Sequence, residues 1–210
     1  MMRFTTMKTK LRKYPSIFLI LLLAISSCFL TGCVNQHPKD SKKSSQGESV
    51  ETMLEITDPK EKQAVLNAKA KVKALSGNPR IVATSPAVAD ICDKLDLDLV
   101  GVPKSSVSKI PSRYKKVKKV GLAMSPDMEI VSSLNPDWIL APSSLETDLK
   151  PKFEELKNTE YAFLNLRSVQ GMYRSVQELG EIFGKQQEAE KMTKEFTTFY
   201  KSYTKRNKNK

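Results

Sequence analysis

From residue 80 onward, short apolar runs alternate with longer stretches whose apolar positions recur at helical spacing. RIVAT (80–84) predicts a buried strand. In SPAVADICDKL (85–95), Val88, Ile91, Cys92 and Leu95 share one helical face, and Ser85 followed by Pro86 supplies an N-cap and a first-turn proline. DLDLVGVP (96–103) predicts a second strand, and KSSVSKIPSRYKKVKKVG (104–121) a loop. SPDMEIVSSLN (125–135) predicts another helix opened by Ser-Pro and ended by Asn135-Pro136. DWILAP (137–142) predicts a third strand, SSLETDLKPKFEEL (143–156) a helix containing a proline, YAFLNL (161–166) a fourth strand and SVQGMYRSVQELGEIFG (168–184) a helix. Strands and helices in this alternation predict a Rossmann-like α/β lobe with a parallel sheet. Ligands on such sheets bind at the C-terminal strand ends, beside helix N-termini. TSP (84–86), KSS (104–106) and AMSP (123–126) fall there.

The lobe (80–184) has helical patterns on both sides. DPKEKQAVLNAKAKVKALSG (58–77) predicts a surface helix stopped by Ser-Gly, peripheral to the main fold, within a 58–79 segment. KQQEAEKMTKEFTTFYKSYTKRNKN (185–209) has no Gly or Pro and predicts one long helix running into the basic tail at 210. Its stripe of Ala189, Met192, Phe196, Phe199 and Tyr203 requires something to pack on.

Residues 1–32 read as an export signal. MMRFTTMKTKLRKYPS is basic and free of acids, IFLILLLAISSCFL is apolar, and LTGC (30–33) follows. LTGC resembles a bacterial lipobox, which implies lipidation of Cys33 and a location on the outer face of the cell membrane. Cys28 in ISSC is a weaker match. The polar, Ser-rich segment after Cys33, to about residue 57, predicts a flexible spacer. The single histidine, His37, lies in it and reads as a solvated spacer residue.

Charge and cysteine content narrow the function classes. The chain is formally +12, but the first 33 residues and residues 201–210 each hold five Lys/Arg and no acid. What lies between is close to neutral, so the fold carries no general nucleic-acid footprint. Cys92, the one cysteine of the lobe, reads as a small core residue. The chain contains no GxGxxG, Walker A, HExxH or GxSxG motif, and a spacer histidine serves no Ser-His or Cys-His engine. An enzyme is not expected, nor a zinc or manganese receptor.

RIVATS, DKLDLDLVGVP, IPSRYKKVKKVGLAMSPDMEIV and LKPKFEEL together resemble the N-terminal lobe of class III substrate-binding lipoproteins of ABC importers, and within them the IsdE-type haem receptors. The resemblance runs from about Arg80 into the last helix. It implies two α/β lobes joined by a long backbone helix, with haem b bound between them and passed to an ABC permease. Cell-surface haem donors are implied as further partners. In such receptors a first-lobe methionine and a second-lobe histidine ligate the iron. By position Met124 corresponds to that methionine, a soft thioether suited to haem iron. Met128 reads as core packing.

The positions matching the propionate contacts are Pro86 and Ala87, at a helix N-terminus, and Ser105 and Ser106 in the next loop. Pro86 has no N–H and acts through geometry, while Ala87 can donate. Ser106 stands where an aromatic is expected in IsdE-type receptors. The basic stretch Lys109–Lys119 reads as a solvated loop, or as attraction for propionates or for acidic permease patches. The chain reaches KRNKNK where the family's helix hands over to its second lobe, so the expectation is one lobe, without the family's histidine. A receptor of the same fold for a ferric siderophore or cobalamin, and a lipoprotein that has lost ligand binding and associates through its long helix, stand as alternatives.

Overall fold

The computed structural model describes residues 3–4 and 54–207. Cys33, His37 and most of the leader and spacer segments lie outside the described residues. In chain order the elements are β1 (Arg3–Phe4), α1 (Pro59–Lys73), β2 (Ile81–Ala83), α2 (Pro86–Lys94), β3 (Leu99–Val102), β4 (Lys118–Lys119) and β5 (Gly121–Leu122). They continue with β6 (Ser125–Pro126), α3 (Met128–Ser133), β7 (Trp138–Pro142), α4 (Glu146–Glu154), β8 (Glu160–Leu164), α5 (Val169–Phe183) and α6 (Gln186–Asn207).

The main sheet runs β1-β8-β7-β2-β3-β4. All of its pairings are parallel except at β1, which lies antiparallel on β8 although its two residues fall in the stretch read as a leader. The chain moves outward from β2 to β3 and β4, then returns to the other side of β2 to lay down β7 and β8. The strand order therefore reverses between β2 and β7, where open sheets of this kind form a crevice.

The pleat divides the apolar residues into two cores. Ile81, Ala83, Trp138, Leu140, Ala162 and Leu164 face a core shared with α1, α2, α5 and α6. Val82, Ile139, Ala141, Tyr161 and Phe163 face the other way, onto Val131 of α3 and Leu149 and Phe153 of α4. Burial on both faces explains why the strand segments read as continuous apolar runs. Cys92 is fully buried in the first core, and desolvation pushes its thiol up to about 12, which fits an inert packing residue.

Helix starts follow the expected caps where a serine precedes them. Ser85 Oγ accepts from the Val88 N–H at 3.3 Å, and Ser168 Oγ from the Gly171 N–H at 3.0 Å. The α5–α6 junction is tight. A side chain at Gly180 would bring a Cβ to 2.6 Å from the Ala189 Cβ, so the two helices meet at a bare backbone. Tyr173 of α5 stacks on Phe196 of α6 at 4.5 Å. The first part of the α6 stripe has thus found its partner within the lobe. Phe199 and Tyr203, stacked on each other, stay more than half exposed.

Three expectations need correction. The 104–121 loop contains a 3₁₀ turn (Ser112–Tyr114) and β4. The strand was hidden because both of its lysines are exposed on the sheet's outer edge, so no apolar alternation marks it. The helix expected from Ser125 starts only at Met128 and is capped by Asp127, whose Oδ1 accepts from the Glu129 and Ile130 N–H groups at 3.1 and 3.0 Å. Finally, α1 is not merely peripheral. Val65 and Ala68 belong to the first core, and Lys69 and Lys71 pair with Glu181 and Glu160.

The α1–α5 contact also buries charge. Glu61 of α1 pairs with Arg174 Nη2 at 2.6 Å. Beside them Glu178 is wholly buried, and among the described residues neither carboxyl oxygen accepts a hydrogen bond. Burial first, then the adjacent Glu61 carboxylate, pushes Glu178 up to about 8, and Arg174 pulls the other way. A protonated Glu178 carries no charge to oppose the neighbouring Glu61 carboxylate, which accounts for two carboxyls packed together. The folded form therefore holds a proton that the unfolded chain releases near 4.5, so the contribution of Glu178 to stability is fully present below about 4.5 and is lost as pH rises to about 8. Glu178→Gln should flatten this fall when urea midpoints are compared at pH 5, 6, 7 and 8. An unchanged slope would mean that Glu178 titrates as an ordinary carboxylate.

Candidate functional site

Because β2, β3, β4, β7 and β8 are parallel, their C-terminal ends emerge along one rim. The segments that leave it carry the ligand-site residues expected from the sequence. At the end of β2, Pro86 is half-buried as the first residue of α2 and Ala87 is exposed behind it. The first N–H groups of a helix have no partner within it. Those of Val88 and Ala89 are taken by Ser85, through its hydroxyl and its carbonyl, which leaves Ala87 as the outward donor.

At the end of β3, Ser105 is half-buried and its Oγ accepts from the Ser108 N–H at 3.0 Å, which folds the loop on itself. Its hydroxyl proton remains available to a ligand. Ser106 is exposed.

Beyond β4 the chain forms a two-residue hairpin, β5 against β6, with Gly121 opposite Pro126 and Leu122 opposite Ser125. Ala123 and Met124 make the turn. Gly121 has φ +95°, and a Cβ there would lie 2.9 Å from the Asp127 nitrogen. Only glycine lets the chain reverse this closely. At the other leg Pro126 is buried, and the Asp127 N–H donates to the Val120 carbonyl at 2.8 Å. The base is fixed and the tip stands clear, with Met124 73% exposed and Leu122 58%. The Gly turn and the buried proline hold the sulfur outward, as expected, but through a hairpin and not a Ser-Pro helix start.

One further contact joins these parts. The Lys104 N–H donates to the Gly121 carbonyl at 2.6 Å, tying the loop after β3 to the hairpin base. A backbone bond of this kind leaves no mark in the sequence.

The architecture and its rim agree with a family match, which covers residues 81–210: the periplasmic binding proteins. The chain belongs to this family. Its members bind solutes for transport and do not form an enzyme class. The high-affinity heme uptake protein IsdE of Staphylococcus aureus is 36% identical over 117 residues, which are 56% of this chain and 39% of IsdE. An ABC transporter substrate-binding protein from Listeria monocytogenes superposes with a TM-score of 0.56 at 44% identity, over 58% of this chain and 46% of its own. IsdE complexed with heme gives 0.55 at 34% identity with the same coverage. The siderophore-binding protein BauB, bound to ferric acinetobactin, gives 0.50 at 25% identity, over 58% of this chain and 45% of its own. The chain spans less than half the length of these relatives.

Within this periplasmic-binding-protein lobe the DKLDLD motif is architectural. The Arg113 guanidinium donates to Asp96 at 2.9 Å and Asp98 at 2.7 Å, and Lys185 of the α5–α6 junction reaches Asp96 at 2.8 Å. Lys185 first, then Arg113, holds the Asp96 carboxyl below its ordinary range. Buried Tyr114 donates its hydroxyl to the Leu97 carbonyl. These bonds pin the α2–β3 turn to the chain that leads into β4, and none of the residues involved faces the rim segments.

At the other end of the rim, beyond β7 and β8, Ser143, Thr147, Lys150, Asn165 and Arg167 line an open cleft of about 640 Å³, together with Glu146 and Glu154. It contains none of the residues expected from the sequence. Strands about 4.8 Å apart put β8 roughly 19 Å from β4. Mixed charge in a wide, open cleft has no complementarity to a single ligand class, and the hairpin side is the better-defined site.

The hairpin depends on Gly121. Gly121→Ala should cost on the order of 1–3 kcal/mol, since it combines a left-handed φ with a backbone contact that cannot shift cheaply. Urea unfolding of the two forms measures this; an equal midpoint would show that the hairpin base is not constrained.

Proposed function

We propose that the chain acts as the ligand-binding lobe of an ABC-importer substrate-binding protein, that its ligand is haem, and that the haem is passed to a membrane permease for iron acquisition. One observation carries the reading: a thioether presented on a fixed hairpin at the sheet rim, beside an outward helix N–H and serine hydroxyls. Soft sulfur suits haem iron as an axial ligand, and a free helix N–H suits a propionate carboxylate. The likeness to heme-bound IsdE supports the same ligand. Met124 is the proposed axial ligand, with Ala87, Ser105 and Ser106 on the propionate side and Pro86 setting the helix start. A ferric siderophore is the second reading, favoured by the likeness to BauB.

A haemin titration followed by visible absorption separates the two. Saturable one-to-one binding with a shifted Soret band, weakened about tenfold or more by Met124→Ala, is expected from loss of one axial bond. An identical titration with Met124→Ala would remove the sulfur ligand, and binding of a ferric siderophore with none of haemin would replace the ligand altogether.

We further propose that Cys33 is lipidated and holds the lobe on the outer face of the cell membrane, through the polar spacer that follows it. Two acyl chains or more give stable anchoring. In cells the protein should fractionate with membranes and incorporate labelled palmitate, and Cys33→Ala should abolish the label and release the chain. Label retained in Cys33→Ala would point to Cys28 instead.

A further inference from the structure

We propose that Lys104 is a specificity residue of the rim: the cation that pairs with a ligand carboxylate and so selects a carboxylate-bearing metal chelate over a neutral one. The inference rests on the haem reading above and sharpens it.

The other groups proposed to meet the ligand are neutral. Ala87 offers a backbone N–H, Ser105 and Ser106 offer hydroxyls, and Leu122 and Met124 offer apolar surface and sulfur. Lys104 is exposed and follows β3 by two residues, so its backbone sits on the rim. Its N–H bond to the Gly121 carbonyl fixes that backbone against the base of the hairpin whose tip is Met124. Two residues of extended chain separate the Gly121–Pro126 base from the turn, about 7 Å, a distance that a lysine stem can cover.

Among the described residues no acid pairs with Lys104. Asp127, the acid that follows the hairpin, is engaged in capping α3. Of the other cations, Lys119 ends β4 on the outer edge strand of the sheet, and Lys150 and Arg167 belong to the cleft at β7 and β8, at the far end. A flat apolar macrocycle with its metal near Met124 and an acidic edge toward Lys104 matches this placement. A charge-assisted bond to a carboxylate is stronger than a neutral one, and an uncharged ester cannot form it.

The test compares haemin with haemin dimethyl ester, titrated into the full chain in detergent. Wild type should bind haemin about tenfold or more tightly than the ester, the size expected for one hydrogen bond to a charged group. Lys104→Gln should weaken haemin to the level of the ester, leave the ester affinity unchanged and keep the Soret signature of the sulfur ligand. Lys104→Arg should restore the preference, and Arg167→Gln should not affect it. If Lys104→Gln keeps the full preference for haemin, Lys104 is not the carboxylate partner, although the haem reading stands. If wild type binds neither porphyrin, the haem reading itself fails.

Discussion

A parallel sheet has two apolar faces, and both must be covered before its backbone can be buried. That constraint organises the lobe. Two cores sit back to back, one under α1, α2, α5 and α6 and the other under α3 and α4. Covering both faces forces the chain to cross from one side of β2 to the other, and the crossing creates the crevice at the rim. The strand ends gather on that rim because they are parallel, and the loops there are free to vary because the cores below do not depend on them. The site is thus a by-product of how the sheet is buried, with its chemistry added in three short turns.

The legible parts of the fold are those where burial dictates composition. The runs around Ile81, Leu140 and Phe163 are apolar because both faces are covered, so their strands could be read directly. Ser85 and Ser168 mark helix starts because a hydroxyl there satisfies a free N–H. The less legible parts depend on contacts that leave no local pattern. The edge strand at Lys118 and Lys119 looks like a solvated loop because it is solvated. Ser125-Pro126 imitates a helix start, but the left-handed turn at Gly121 turns it into the leg of a hairpin and hands the cap to Asp127.

The site shows the same division. Pro86, Ala87, Ser105, Ser106 and Met124 could be placed on one rim from the order of strands and turns alone. What presents Met124 could not, because it depends on a positive φ, a buried proline and the backbone bond between Lys104 and Gly121. Nothing in the sequence distinguishes Lys104 from the chain's many other lysines. Its place is set by its neighbour's carbonyl, not by its own side chain. The DKLDLD segment carried part of the family resemblance, yet its acids serve to clamp Arg113 and Lys185. A motif specific enough to identify a family need not touch the ligand.

The packing of α1 has a mechanical side. It lies ahead of the stretch matched to the family, and it comes between the amino-terminal segment and the first strand of the parallel sheet. A pull on the chain from that direction meets the α1–α5 seam before it reaches β2. Arg174 with Glu61 and Lys69 with Glu181 hold α1 to α5, Lys71 with Glu160 holds it to β8, and with Val65 and Ala68 beneath them these contacts meet the load ahead of the rim and its hairpin. The seam serves as a strain relief: a force applied from the amino-terminal side is taken up by a helix set apart from the rim.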